Sequence, residues 1–409
     1  MSQRQHCDNP PRAAGRVGAP EASPGTMAAA RRWGASLPKR NPHVAEGPLI
    51  VGAGPTGLAA ALFLAEKGVK ARLIDAAPAP EQQSRALAIN TRTLDLLAPS
   101  GVANALESEG RRLRGVRFYQ EWTEVAELRF RERRMIALPQ TRTEAILRAA
   151  LARHGLVPER GVRFEALAQD GVGVVATLAH EDGQREKARA PILLGADGAH
   201  SRVRAALGIG FPGSAVPEAW PLCDIALDTP LGPDVAHVCF QKRGLIFMLA
   251  LAPGVWRAFG NLPDLLDRLP PGTRPGATLW RSSFHISHRI AIREVRGRVA
   301  LAGDAAHLHS PVGARGMNLG IEDAYVFAAC AAEALAGRPG RLDEYGRLRR
   351  LTHEQVVGRV RALTTFARGR PAPLGALRPW LLPLALRCPP LARALRDTLT
   401  GLDHPARAH

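Results

Sequence analysis

The sequence predicts an α/β fold in which a discontinuous domain, built on a mostly parallel sheet, is interrupted by a β-rich segment. Three observations predict it. A strand, a glycine turn, a helix and a second strand follow one another over residues 48–75. Short buried-strand patterns recur far downstream, at 192–195 and 298–302, each running into a turn that carries Gly and Asp. Between them, residues 212–290 show short apolar runs with few helical periods. A chain of 409 residues, 46% hydrophobic and 22% charged, can bury a large core and does not have the composition of a disordered or fibrous protein.

The elements follow in order. Residues 1–46 lack hydrophobic periodicity and are rich in Pro, Gly, Ala and Arg, so they read as a disordered tail. Arg31-Arg32 lacks the apolar stretch of an export signal. Pro48 to Val51 is a short apolar strand. Leu58, Ala61, Leu62 and Ala65 then recur at helical spacing up to Gly68, a natural C-terminal stop. Residues 71–75 read as the second strand, and 85–97 as containing a helix. Val116, Phe118, Val125, Leu128 and Phe130 mark strands near 113–130 that belong with the β-rich segment. Thr141 to Glu144 has the spacing of a capping box opening a helix through Leu151. Residues 162–178 alternate like a hairpin turning at Gly171. Long helices are expected from Asn318 to about residue 335 and from Leu342 to about residue 366, with a modest apolar helix at 380–387. The domain scheme is therefore a first part at 47–211, the β-rich domain at 212–290, a second part at 291–370, and a helical, Pro-rich segment at 371–409.

The glycine turn carries the first chemistry. In Gly52-Ala-Gly54-Pro55-Thr56-Gly57, Gly52 allows the tight turn, Gly54 lets a pyrophosphate approach the backbone, and Gly57 lets helix and strand pack closely. The helix start offers free N–H groups to phosphates. Asp75, at the end of the second strand, can accept hydrogen bonds from ribose hydroxyls. Together these predict a dinucleotide site. Far downstream, Gly303-Asp304 follows a strand and precedes the loop Pro311-Val-Gly313-Ala-Arg-Gly316-Met317-Asn318, which opens a helix. An aspartate there can bind a polyol, and the helix start can stabilise negative charge on a reduced flavin.

With Ala196-Asp197-Gly198, these three separated motifs resemble the flavoprotein aromatic hydroxylase family, the single-component FAD monooxygenases similar to para-hydroxybenzoate and phenol hydroxylases. The resemblance runs over about residues 48–400 and implies a Rossmann-like FAD-binding domain with an inserted substrate domain. Carried over, it implies that Gly52, Gly54, Pro55, Thr56, Gly57 and Asp75 hold the ADP half of FAD, and that Arg85 and Gln140 touch its middle. It also implies that Gly303 and Asp304 bind the ribityl chain, and that Pro311, Gly316, Met317 and Asn318 lie against the flavin ring. Asp197 and Gly198 belong to a segment implicated in binding both FAD and NADPH. The resemblance further implies NADPH or NADH as co-substrate, O2, and hydroxylation of an aromatic or polycyclic small molecule through a flavin C4a-hydroperoxide. A saturase-type reductase and a non-catalytic flavin-binding subunit are the alternatives. The family often reads G-G-Q-G where this chain has Gly313-Ala314-Arg315-Gly316, and Arg315 is expected to face solvent.

Charge and cysteines set the remaining bounds. The net charge is +18, but only five of the 55 basic residues are lysines, and the arginines are scattered without a nucleic-acid motif. No nucleic-acid partner is expected, and the positive field suits anionic small molecules. Five cysteines without a Cys-x-x-Cys pair argue against disulfides and zinc and fit a reducing cytoplasm. No apolar run reaches the ~18–20 residues of a membrane span. His307, His309, His285 and His288 are expected as packed imidazoles and not as metal ligands, with His200 a candidate contact for a nicotinamide cofactor.

Overall fold

Five neighbouring parallel strands organise the molecule. In the computed structural model, which describes residues 43–44, 47–82, 86–242, 244–369 and 372–406, a six-stranded sheet has the order Val295–Arg296, Val299–Leu301, Leu193–Gly195, Leu49–Val51, Arg72–Asp75 and Glu159–Arg160. All neighbours are parallel except the first pair. Gly195 stands level with both Val51 and Leu301, so the turns that follow these three strands emerge side by side at one sheet edge. Strands such as Leu49–Val51, Leu193–Gly195 and Val299–Leu301 are buried on both faces, as a helix-covered parallel sheet requires.

Nine helices occur among the described residues: α1 Pro55–Glu66, α2 Thr91–Leu97, α3 Val102–Glu109, α4 Gln140–Arg153, α5 Arg202–Ala206, α6 Gly316–Leu335, α7 Gly340–Ala367, α8 Ala372–Arg387 and α9 Pro389–Thr400. The apolar residues of α1 and α6 share one core cluster with the sheet, including Leu58, Leu62, Ile321 and Phe327. That the chain alternates strand and helix only around this sheet is what makes it α/β.

The β-rich segment forms an eight-stranded sheet. Its order is His307–Leu308, Arg274–Ile290, Gly213–Asp228, Val255–Gly260, Gly244–Ala252, Val235–Gln241, Gly115–Gln120 and Thr123–Arg129. The strands expected near 113–130 thus lie at its far edge. Its other edge, His307–Leu308, is part of the Gly303 turn region, so this sheet is tied directly to the parallel one. No division separates the two sheets: residues 41–409 form one unit. A four-stranded sheet contains the predicted hairpin, with Gly171 at φ +80° in its turn.

Several expectations are corrected. The tail expected to lack structure through residue 46 carries at His43–Val44 a short strand parallel to Arg185–Ala190, and the rest of it lies outside the described residues. The helix expected within 85–97 begins only at Thr91. Ala88–Asn90 is a buried strand, and the Asn90 side chain caps α2 by accepting from the Thr93 N–H at 3.0 Å. The capping box at Thr141 does not form, because the cap is Pro139, two residues earlier, and Thr143 and Glu144 are buried inside the helix. The short C-terminal helix is two helices, α8 and α9.

The packing of α1 on α6 is tight at one point. A Cβ built on Gly320 would stand 2.3 Å from Thr56 Oγ1, and one on Gly303 would stand 2.5 Å from the same atom. Gly303 also has φ +59°, which disfavours any side chain. Gly320→Ala is therefore expected to destabilise the protein by about 1–3 kcal/mol through overpacking. Adding Thr56→Ala should recover most of that loss, measured by urea unfolding. Additive losses would show that the two helices do not meet there.

Candidate cofactor site

The glycine turn is shaped partly by the protein and partly for something else. Gly52 has φ +105°, and a Cβ on it would meet Ala196 O at 2.3 Å. A Cβ on Gly57 would meet Gly52 O at 1.8 Å. Gly54 is different: a Cβ there would meet no protein atom within 4 Å. Protein packing does not demand a glycine at this position, whereas a ligand lying on the backbone would. Gly54 is also the N-cap of α1, with no side chain capping the helix and Pro55 at its first turn, so the N-terminal N–H groups face outward. Asp75 Oδ2 accepts from the Ala53 N–H at 2.6 Å and Oδ1 from the Ala77 N–H at 2.8 Å. These two hydrogen bonds, with the Arg160 guanidinium 3.6 Å from Oδ1, leave the carboxylate with acceptor capacity for hydroxyl groups.

The second motif stands beside the first. Gly303 and Asp304 form a short 3-10 turn directly after the strand next to Leu193–Gly195. Asp304 is exposed to solvent, yet it sits deep enough among protein atoms that desolvation raises its carboxyl to about 6. Such a residue lines a crevice. The entrance to α6 likewise has no side-chain cap, and Pro311, Gly316 and Met317 there are half-buried.

Not every predicted residue is free for a ligand. Asn318 is fully buried and spent on structure: its Oδ1 accepts from the Asn90 N–H, and its Nδ2 donates to Ala88 O and Ala314 O. Asp197 caps α5, accepting from Ser201 Oγ and from the N–H groups of Arg202 and Val203. Gly198 has φ +78° and open space where a Cβ would be. Gln140 opens α4 and donates to Glu144 at 2.8 Å, while its N–H donates to Ala86 O. Arg85 lies outside the described residues.

Arg315 overturns its expectation. It is fully buried, not solvent-facing. Its guanidinium donates to Thr398 O at 2.6 Å and pairs with Asp403 at 3.2 Å, and Glu322 stands 3.9 Å away. His404 bridges Asp403 and Glu322 at 2.9 and 2.6 Å. Burial alone would raise the Asp403 carboxyl, but His404, Arg315 and Arg359 hold it below its ordinary value. The C-terminal segment thus grips the turn of residues 311–316 from outside, and Leu399 lies 3.5 Å from a Cβ built on Gly313. Within that turn Ala314 holds φ +54°, a conformation an alanine resists.

Sequence reasoning also missed a buried charge cluster behind the Gly303 turn. Asp323 of α6 accepts from the Gly303 N–H at 2.9 Å, from Arg349 Nε at 2.6 Å, and binds His307 and His353 at 2.8 Å each. The donor atoms of His307, Asp323 and His353 lie within 4.8 Å of one another, a spacing a cation could use, but here Arg349 supplies the positive charge. The available signal was Glu322-Asp323 inside an otherwise apolar helix, because paired acids there require partners.

With this geometry in place, the comparisons with known proteins are specific. Residues 48–253 and 267–360 match the family described as the FAD binding domain. The chain is 36% identical over 391 residues to a 6-methylpretetramide 4-monooxygenase of Streptomyces rimosus, covering 89% of this chain and 69% of that protein. It is 32% identical to a pentachlorophenol 4-monooxygenase of Sphingobium chlorophenolicum, covering 78% of this chain and 65% of that protein. The chain therefore spans about two thirds of the length of these relatives. The crystal structure of aklavinone-11 hydroxylase with FAD and aklavinone superimposes with a TM-score of 0.71 at 26% identity, covering 80% of this chain and 70% of that one. The chain belongs to the flavoprotein aromatic hydroxylase family.

Two outcomes follow. Asp304→Asn should raise the melting temperature of the apoprotein at pH 7 and leave it unchanged near pH 3.5. The raised carboxyl penalises the folded state progressively as pH rises from about 3.8, where the unfolded carboxyl ionises, to about 6, and the penalty is complete above that. The same variant should lose FAD affinity; a lower apoprotein melting temperature at pH 7 would contradict the sign. Asp403→Asn should cost about 1–3 kcal/mol by leaving Arg315 under-compensated. Arg315→Gln added to it should restore most of that stability in urea titrations.

Proposed function

We propose that this chain is an FAD-dependent monooxygenase that uses NAD(P)H and O2 to hydroxylate an aromatic or polycyclic small molecule. One observation carries the reading: Gly54, Asp75 and Asp304 present a bare turn and two carboxylates at the ends of three strands of one parallel sheet, where open α/β sheets bind their ligands. Family membership supports FAD as the group that fits.

In this reading the α1 N-terminus and Gly54 hold the pyrophosphate and Asp75 the ribose. Asp304 and the Gly303 turn hold the ribityl hydroxyls, with Pro311, Gly316 and the backbone of Met317 and Asn318 at the ring. Gln140 and Asp197-Gly198 border the site and position its walls. Bound FAD would supply two-electron reduction by the nicotinamide and activation of oxygen. The chain must bind, orient and keep water away. The eight-stranded sheet is suited to that as the substrate domain. Trp220, Phe259, Phe284 and Phe247 stack along one of its faces with centroids 4.6–6.5 Å apart. They belong to the same apolar cluster as Val312 and Ala314 of the flavin-side turn. A dry aromatic wall beside the 311–316 turn would keep water away from a flavin held there.

His309 has a fixed orientation at this boundary. Its Nδ1 contacts Ser310 O at 2.9 Å, and burial and His307 push it down to about 3, so it stays neutral across the working pH range. Its Nε2 is buried without a hydrogen-bond partner among the described residues.

Purified protein should carry FAD, and a phenolic or polycyclic substrate should stimulate NAD(P)H oxidation and gain one oxygen atom by mass. Stimulated oxidation with loss of a double bond and no oxygen gain would favour a saturase-type reductase. No stimulation across such a panel would favour a flavin-binding subunit without turnover.

A further inference from the structure

A groove of about 950 Å³ runs between the strand Thr123–Arg129 and the helices α8 and α9, outside the cofactor crevice. Five arginines line it: Arg129, Arg131, Arg387, Arg393 and Arg396. Its two acids are already engaged, Glu127 by Arg129 at 2.8 Å and Asp397 by Arg133 at 3.3 Å. Arg131, Arg387 and Arg393 are exposed and have no ion-pair partner among the described residues. Arg131 follows the strand at φ +55°, so its position is fixed by a tight turn. Arg396 Nε donates to Arg129 O at 2.8 Å, which anchors that side chain in the wall. Leu128, Leu386 and Ala392 give the groove an apolar floor.

These guanidinium groups work against one another. Burial lowers the Arg396 pKa first, and the charges of Arg131, Arg133 and Arg393 lower it further, beyond what Asp397 restores. Four like charges with Asp397 as their one carboxylate keep a positive excess and lower their energy when an anion joins them.

We propose that this groove is a binding site for a phosphate-bearing small molecule. Arg131, Arg393 and Arg396 hold its anionic group, and Leu128, Leu386 and Ala392 meet its apolar or planar part. A bidentate arginine fork matches the oxygens of a phosphate, and an apolar floor beside it suits a base or ring. The ligand is either a nucleotide such as the 2′-phosphate half of a reduced nicotinamide cofactor or a free polyphosphate. Helix α9 joins the groove to the flavin-side turn, because Thr398 O holds Arg315 and Leu399 lies against Gly313. An anion in the groove therefore sits on the element that clamps that turn.

The test uses the full chain with bound FAD at low ionic strength, titrated calorimetrically with pyrophosphate and, separately, with adenosine 2′,5′-bisphosphate. Saturable binding of at least one probe is expected, weakened roughly tenfold or more in Arg131→Ala/Arg393→Ala, with FAD content unchanged. A control pair removing the same charge at exposed sites elsewhere, Arg185→Ala/Arg274→Ala, should stay within about twofold of the parent. Tighter binding of the nucleotide identifies the nucleotide source, and tighter binding of pyrophosphate identifies the free polyphosphate. Absence of saturable binding to the parent, or equal loss in the control pair, overturns the proposal. Failure of the parent to retain FAD would instead defeat the flavin reading and leaves the groove titration interpretable on its own.

Discussion

The buried carboxylate of Asp323 is the constraint on which the cofactor end of the molecule depends. It lies on α6 with no exposure, and its donors come from the Gly303 turn, the short strand at His307, and Arg349 and His353 of α7. Burial would raise its pKa; His353, Arg349 and His307 reverse that and hold it well below the ordinary carboxylate range. Charge balance then decides the histidines. Arg349 offsets Asp323, and burial would lower His353, but Asp323 at 2.8 Å first and Glu294 at 3.1 Å after it raise its pKa above the ordinary value. His307, pushed down to about 4 by burial first, is left neutral. It donates from Nε2 to Asp323, and its buried Nδ1 has no partner among the described residues. A buried charge is tolerated at this density only when each donor is fixed, and that rigidity is what a turn holding a cofactor requires.

What the sequence disclosed and what it hid divide along contact distance. The strand-turn-helix unit around Gly52, Gly54, Gly57 and Asp75 was legible because its spacing and backbone conformation are local properties. The long helices were legible for the same reason. The charge cluster was not, because Asp323 and its partners on α7 stand 26 and 30 positions apart and periodicity carries no information about which polar face meets which. Arg315 is the sharpest case. An arginine in a polar loop is usually exposed, and its hydrogen-bond partners 83 to 89 positions downstream reverse that. The strand at Ala88–Asn90 was hidden similarly, since its order comes from Met135–Ala137 and from Asn318.

The departure of this chain from its family at the α6 entrance has a physical counterpart. Ala314 adopts a left-handed conformation where a glycine would be unstrained, at a cost of roughly 1–2 kcal/mol. Arg315 places a long cation where burial penalises it. Neither would persist unless the surroundings over-determined them. The surroundings are Thr398, Asp403 and His404 outside and Asn318 inside, whose Nδ2 holds Ala314 O at 2.7 Å. The strained turn and the C-terminal segment therefore form one cooperative unit, and sequence changes in either are expected to require changes in the other.

This coupling also explains why the last helices are not an appendage. The sheet edge fixes the positions of Gly54, Asp75 and Asp304 through backbone hydrogen bonds, which are insensitive to side-chain charge. The turn at 311–316 has no such lattice, and beyond Asn318 it is braced by contacts to a segment 83 to 89 positions away. The proposed cofactor site thus combines a rigid half, given by strand register, with an adjustable half, given by charge balance. Any anion or partner that acts on α9 bears on the adjustable half alone, because Thr398 and Leu399 reach the turn while no residue of α9 contributes to the parallel sheet.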